Sequence, residues 1–248
     1  MTKKKTKIVS ISLLLLLAVV VVVANIWRSH SQVRNVRVDI EYRGGDTLVT
    51  PAQVSSLVQE KCPGIVTQMI RDVDLDAVAQ AAATSPWLYE CEAGTSIGGS
   101  VVVHAVQRRP IVRVFGRDGE YYLDDHESRV PLSRVSECNV LIAGGNIPEK
   151  GKGLKQVWML AHYLDSHPDL APLFDQIYRD GKGDLFLTPK LGGHVVQVGS
   201  VNNLDEKFHN LMVFYVKGLP QTGWDTYSQV SVKYRDQVVC TRKVNNKN

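Results

Sequence analysis

Apolar residues follow three patterns along this chain. From Ile8 to Ile26 they run almost without a break. A helix of that run is about 28 Å long at about 1.5 Å per residue, close to the hydrocarbon thickness of a bilayer. Beyond Trp27 the pattern changes to short alternating stretches, which predict half-buried strands, and to three- and four-residue spacings, which predict amphipathic helices.

Residues 28–35 are a polar linker and residues 36–42 alternate strictly, predicting a strand. A turn at 43–46 precedes Thr50-Pro51, a helix start with Thr as N-cap and Pro in the first turn. Val54, Leu57 and Val58 form its stripe, and Cys62-Pro63-Gly64 ends it. A second helix starts at Asp74, presents Leu75, Val78, Ala79 and Ala82, and breaks at Ser85-Pro86. Strands over 87–93 and 100–107 form a hairpin around Gly98-Gly99, and Pro110 closes a β-α-α-β-β unit whose helices share one buried face.

A second region opens with a hairpin, 111–115 and 120–123, across Gly116-Arg-Asp-Gly119. Short strands are expected at 130–132 and 139–143. Leu154, Val157, Trp158, Leu160, Ala161 and Leu164 have helical spacing, with His167-Pro168 as the stop. Strands follow at 176–179, 184–187 and 194–198. Asn203 is expected to cap a helix faced by Leu204, Phe208, Leu211, Met212 and Tyr215 and ended by Gly218 and Pro220. The last strands are 227–234 and 237–242, joined at Arg235-Asp236, and residues 243–248 are a polar tail. The predicted class is α+β: one transmembrane helix, the β-α-α-β-β domain, then a mixed β domain with two helices.

Lys3, Lys4, Lys5 and Lys7 flank the apolar run on its N-terminal side. By the positive-inside rule they hold residues 1–7 in the cytoplasm and send everything after a helix over 8–27 across the membrane. A cleaved signal peptide has an apolar core of about 7–15 residues. This run is longer, and Trp27-Arg28 fits an outer interfacial anchor, so the reading is an uncleaved single-pass anchor. The formal charge of +4 contains those four lysines and Arg242, Lys243 and Lys247, leaving residues 8–241 at a net −3. No basic stripe with interleaved aromatics points to nucleic acid.

Chemistry-bearing motifs are missing. Cys62, Cys91, Cys138 and Cys240 include no Cys-x-x-Cys; Cys62 and Cys91 share a domain, and either a bridge or free thiols fits the sequence. Asp72-Val-Asp-Leu-Asp76 starts like a calcium loop but has Ala77 and Ala83 where Gly and Glu are needed. Asp124-Asp-His-Glu127, the densest titratable cluster, reads as a solvated hairpin loop. No nucleophile elbow, zincin or phosphate-loop pattern occurs. The expectation is a protein with no catalytic residue, metal, cofactor or small-molecule substrate.

Four stretches resemble the FtsQ/DivIB family of bacterial cell-division proteins, in a Bacteroidetes-like form. They are Asp74-Leu-Asp-Ala-Val78 with Ser85-Pro-Trp-Leu88; Val106-Gln-Arg-Arg-Pro110 with Ile111-Val-Arg-Val114; Gly119-Glu-Tyr-Tyr-Leu-Asp124 leading to Val130-Pro-Leu132; and the final pair of strands, 227–242. The resemblance implies a cytoplasmic tail over 1–7, a membrane helix over 8–27, a POTRA domain over 33–110, an FtsQ-type β domain over 111–242 and a disordered tail over 243–248. It implies a scaffold of the divisome in the cell inner membrane at the septum, with its domains in the periplasm. Its partners would be FtsB-like and FtsL-like single-pass division proteins. In the family the FtsB chain adds alongside the final strand, which here places the contact on Tyr234, Gln237, Val238, Val239, Cys240, Thr241 and Arg242. A tryptophan that some members carry after that strand has no counterpart near Arg242.

Physical reasoning about the same segment leaves two readings open: an edge that pairs with another chain, or one protected by Arg242, Lys243 and the tail that binds nothing. A terminal strand followed by a polar tail tends to be an edge strand, whose unpaired backbone groups template another chain. Val238 and Cys240 should face one side and Val239 and Thr241 the other. The alternative is a POTRA-bearing periplasmic chaperone or export factor for outer-membrane proteins.

Overall fold

The computed structural model describes residues 13–20 and 31–244. Residues 13–20 are helical. No helix among the described residues is long and apolar enough to cross a membrane. The cytoplasmic tail over 1–7, most of the span expected over 8–27, and residues 245–248 lie outside the described residues. The chain is α+β and divides into two compact units, 1–107 and 108–248.

The first unit holds β1 (Val36–Glu41), α1 (Pro51–Lys61), α2 (Leu75–Ala83), β2 (Leu88–Thr95) and β3 (Val101–Gln107). Its sheet has the order β1-β3-β2, with β1 parallel and β2 antiparallel to the central β3. Alternation along β1 buries Val36 and Val38 against Val54 and Val58 of α1 and Val78 and Ala82 of α2. Both helix starts follow their sequence signals. Thr50 and Gln53 form a reciprocal capping box: Gln53 N–H donates to Thr50 Oγ1 (3.3 Å) and Thr50 N–H to Gln53 Oε1 (2.8 Å). Asp74 Oδ1 accepts from Ala77 N–H at 3.0 Å. Cys62 and Cys91 are free thiols at the margin of this core. Burial, helped by Glu90, pushes the Cys91 thiol up to about 11.

The second unit is a mixed nine-stranded sheet backed by helices. Its strands are β4 (Pro110–Gly116), β5 (Gly119–Asp124), β6 (Arg129–Pro131), β7 (Leu141–Gly145), β8 (Phe174–Arg179), β9 (Leu185–Pro189), β10 (Val195–Gly199), β11 (Tyr227–Ser231) and β12 (Val239–Arg242). The spatial order is β12-β11-β10-β9-β8-β7-β4-β5-β6. Helix α3 (Lys152–Asp165) joins the parallel neighbours β7 and β8, and α4 (Leu204–Val213) joins the parallel neighbours β10 and β11. Both crossovers step the same way along the sheet, so the right-handed rule puts both helices on one face. They meet there: the Tyr163 and Phe208 rings stack at 5.2 Å, and Tyr163 O–H donates to Asp205 at 2.9 Å.

Three expectations need correction. Asn203 precedes α4 but sits in the left-handed region (φ 53°) and its side chain makes no capping bond. Gly218 and Pro220 do not stop the helix. The chain winds into a π-turn over Phe214–Gly218, and Pro220 then falls in the first turn of a short helix, α5 (Leu219–Thr222), where its missing N–H costs nothing. The strand expected over 227–234 ends at Ser231, so Tyr234 lies in the loop between β11 and β12, together with Gln237 and Val238.

Candidate partner-binding edge

The motif Gln107-Arg108-Arg109-Pro110 is spent on structure. Gln107 is 1% exposed; its Oε1 accepts from the Leu48 (2.7 Å) and Val49 (3.3 Å) N–H groups, and its Nε2 donates to the Asp46 carbonyl (2.8 Å). Arg108 donates to Asp124 at 2.7 Å. Arg109 grips both oxygens of Asp165 (3.0 and 2.7 Å) and reaches Asp125 at 3.3 Å, and the Asp165 bonds raise its pKa further.

Of the solvated loop expected at 124–127, His126 and Glu127 are exposed, but Asp124, the last residue of β5, is fully buried. Its Oδ1 accepts from the His126 and Ser128 N–H groups at 3.0 and 2.7 Å, and Trp158 Nε1–H donates to its carbonyl at 2.9 Å. Asp124, Asp125 and His126 bring potential metal ligands within 4.8 Å of one another. The carboxylate oxygens there already serve Arg108, Arg109 and two backbone amides, so the cluster is a structural knot rather than a metal centre. On the helix-free face of the small sheet, Asp39, Glu41, Glu90, Glu92 and His104 surround a hollow of about 420 Å³. Arg37 pairs there with Asp39 at 2.8 Å. None of these groups is arranged as a nucleophile with its base.

The two edges of the large sheet differ. At one end β6 is three residues long and contains Pro131, two devices that discourage further strands. Arg129 covers that end, stacked 4.1 Å over Tyr121 and paired with Glu149 at 2.6 Å, which holds the Glu149 carboxyl below its usual range. At the other end β12 is proline-free, and Val239 is 43% exposed.

Backbone register shows which groups β12 offers. Val232 N–H donates to the Gln197 carbonyl on β10, so the alternate residues Ser231 and Gln229 turn their backbone toward β12. They pair with Val239 and Thr241. Lys243 N–H, two residues further, donates to the Thr226 carbonyl. Val239 and Thr241 therefore bond inward, and the N–H and C=O groups of Cys240 and Arg242 point outward. Side chains follow the expected split: Val238 and Cys240 pack on the core while Val239 and Thr241 are exposed. Burial raises the pKa of the Cys240 thiol.

Of the seven expected contact residues, four lie in β12. Gln237 and Val238 lead into it, and Tyr234, 51% exposed, stands off in the connecting loop. Lys233 ties that loop to Asp184 at 2.6 Å. Tyr234 borders a polar hollow of about 120 Å³ shared with Glu206, Asn210 and Lys207. The Lys207 ammonium is turned inward onto the Val198 and Ser200 carbonyls (3.0 and 2.6 Å), and burial lowers its pKa.

The fold thus defines a protein module whose large sheet ends in the short, proline-bearing β6 on one side and the proline-free β12 on the other, with no assembled catalytic centre among the described residues. The chain belongs to the FtsQ/DivIB, C-terminal related family, whose model matches residues 109–241, more than half of its length. That membership connects it with cell division, in a family of non-enzymatic division scaffolds. Among curated proteins none matches the chain.

Proposed function

We propose that this protein is a single-pass scaffold of the bacterial divisome, anchored by a helix over residues 8–27 and binding FtsB-like and FtsL-like partners on the outer side of the inner membrane at the septum. In this reading residues 33–110 are a POTRA domain, residues 111–242 are the FtsQ-type β domain, and a partner strand pairs with β12. The observation that carries it is the asymmetry of the large sheet: β6 is short and carries a proline, while β12 turns the backbone of Cys240 and Arg242 outward. A partner strand there would gain main-chain hydrogen bonds for affinity and use the exposed side chains of Val239 and Thr241 for selectivity. Tyr234, Gln237 and Val238 would flank the added strand at its start.

The test uses the full chain co-expressed in membranes with an FtsB-like protein of the same cell. Photo-crosslinkers at Val239 and Thr241 should capture that partner, and crosslinkers at Arg129 should not. Arg242→Pro, which deletes one outward N–H and none of the inward bonds, should weaken capture at least tenfold while the protein keeps its melting temperature. Undiminished capture by the folded variant would overturn the edge-strand reading.

A further inference from the structure

His194 is 2% exposed, in the Gly192-Gly193-His194 turn that enters β10. Its Nε2 lies 2.9 Å from the Tyr215 hydroxyl of the π-turn, and its ring packs edge-on against Tyr215 (5.6 Å) and beside Trp224 (6.5 Å). Its Nδ1 is buried with no hydrogen-bond partner. Gly192 lies beside it: a Cβ there would stand 3.0 Å from Nδ1. Trp224 leads into β11, and Lys243, which leaves β12, bonds back to Thr226. The imidazole therefore sits where the outer two strands are tied together at their open ends.

The charged neighbours make this position hostile to a proton. Lys243 is the nearby cation, its ammonium packed over Gly193 and 3.6 Å from the exposed Asp225 carboxylate. Lys190, beside Tyr215 and Trp224, pairs with Asp175 at 3.6 Å. Among the described residues Tyr215 is the one ionisable group hydrogen-bonded to the ring, and burial raises its pKa, so it stays neutral. No carboxylate of the described residues is bonded to the imidazole. Both burial and Lys243 lower the pKa of His194.

We propose that His194 is an acid-sensitive latch on the docking edge: a second ring proton, for which the buried imidazole has no acceptor beyond the Tyr215 hydroxyl, expels the ring and frees the Trp224 and Lys243 ends of the β11–β12 ladder. A buried N–H without an acceptor costs the full desolvation of that group, and an uncompensated charge costs more. The cheapest relief is to swing the glycine turn outward, which removes the packing under Trp224 and Lys243. Partner release on acidification would follow, a consequence that rests on β12 being the docking edge; the latch itself does not.

The experiment is amide hydrogen exchange on the full chain in detergent, without any partner, at pH 7.5 and 5.5, with protection factors corrected for intrinsic rates. In the wild type, protection at Val239, Thr241 and Lys243 should fall by about five- to tenfold at pH 5.5, the most that one histidine proton can supply over this range, while amides of the β4–β5 hairpin change less than twofold. His194→Gln should abolish the difference. Lys243→Met, which removes the repulsion without emptying the buried site, should at least halve the logarithmic loss. Unchanged protection in the wild type, an equal fall in β4–β5, or a full fall persisting in either folded variant would overturn the latch. Partner capture measured separately at pH 7.5 decides the docking edge, so failure of one reading is not failure of the other.

Discussion

Arg108 Nη1 stands 2.7 Å from Oδ2 of Asp124, a carboxylate with no solvent exposure whose other oxygen holds two backbone amides. Removing the acid takes an acceptor from the Arg108 guanidinium and from two N–H groups together. Breaking one side of a buried charge pair costs about 3–5 kcal/mol. Asp124→Ala should therefore lower the urea midpoint of the second unit far more than Arg108→Ala, whose side chain is partly exposed. Equal small shifts would show that water replaces the lost bonds.

Gln107 makes the matching prediction in the first unit. Its amide satisfies two N–H groups and one carbonyl of the loop before α1. Gln107→Leu keeps the volume but removes all three bonds, at about 1–3 kcal/mol for each group that stays buried without a replacement partner. Gln107→Glu keeps an acceptor for the two N–H groups but buries a carboxylate and sets an oxygen against the Asp46 carbonyl. Chemical denaturation should place both variants clearly below the wild type.

These two residues show what the sequence could disclose. Thr50-Pro51, Asp74 and the alternation of β1 act locally, and each places its element within a residue or two. Gln107, Arg108 and Arg109 stand out as a polar run between two apolar strands, but their partners Leu48, Asp124 and Asp165 are distant in sequence, and only the fold pairs them. Asp124 misleads for the same reason: its neighbours in sequence are polar, while its partners Arg108 and Trp158 come from distant parts of the chain. At the docking edge, the side-chain faces follow from two-residue periodicity. The inward or outward sense of each backbone group needs the register of β10, β11 and β12, which no pattern within residues 237–242 contains. Tyr234 reads as strand from its alternation, yet Lys233 is drawn away to Asp184 and the strand ends early.

Gly145 ends β7 with φ at 97°, and a Cβ there would fall 2.3 Å from the Arg179 carbonyl and 2.7 Å from the Tyr178 ring. Both the dihedral and the contact oppose a side chain. Gly145→Ala should destabilise the second unit by about 2–4 kcal/mol, combining left-handed strain with overpacking. A Tm within a degree of the wild type would show that the β7–β8 pair separates at little cost.

His194 also gives the molecule a signed pH dependence. Its folded pKa lies below the unfolded value of 6.5. Above pH 6.5 the ring is neutral in both states and contributes no slope. As pH falls below 6.5 the unfolded chain binds a proton that the folded chain refuses, so stability declines by up to about 1.4 kcal/mol per pH unit until the folded pKa is reached. Melting curves between pH 7.5 and 5 should show that decline, and His194→Gln should flatten the part due to this residue. A wild-type slope unchanged in the variant would assign the pH dependence to other groups.

The inward and outward alternation of β12 separates two prolines that would look equivalent on a surface map. Val239 has an exposed side chain, but its N–H faces Ser231 across the ladder. Arg242 is exposed, and its N–H faces away from β11. Val239→Pro therefore deletes an internal bond and sets the ring against β11, at about 3 kcal/mol. Arg242→Pro leaves the ladder whole and should change stability by less than about 0.5 kcal/mol. Thermal melts of the two variants give the comparison directly. A fall for Arg242→Pro with Val239→Pro unaffected would reverse the register and move the outward groups to Val239 and Thr241.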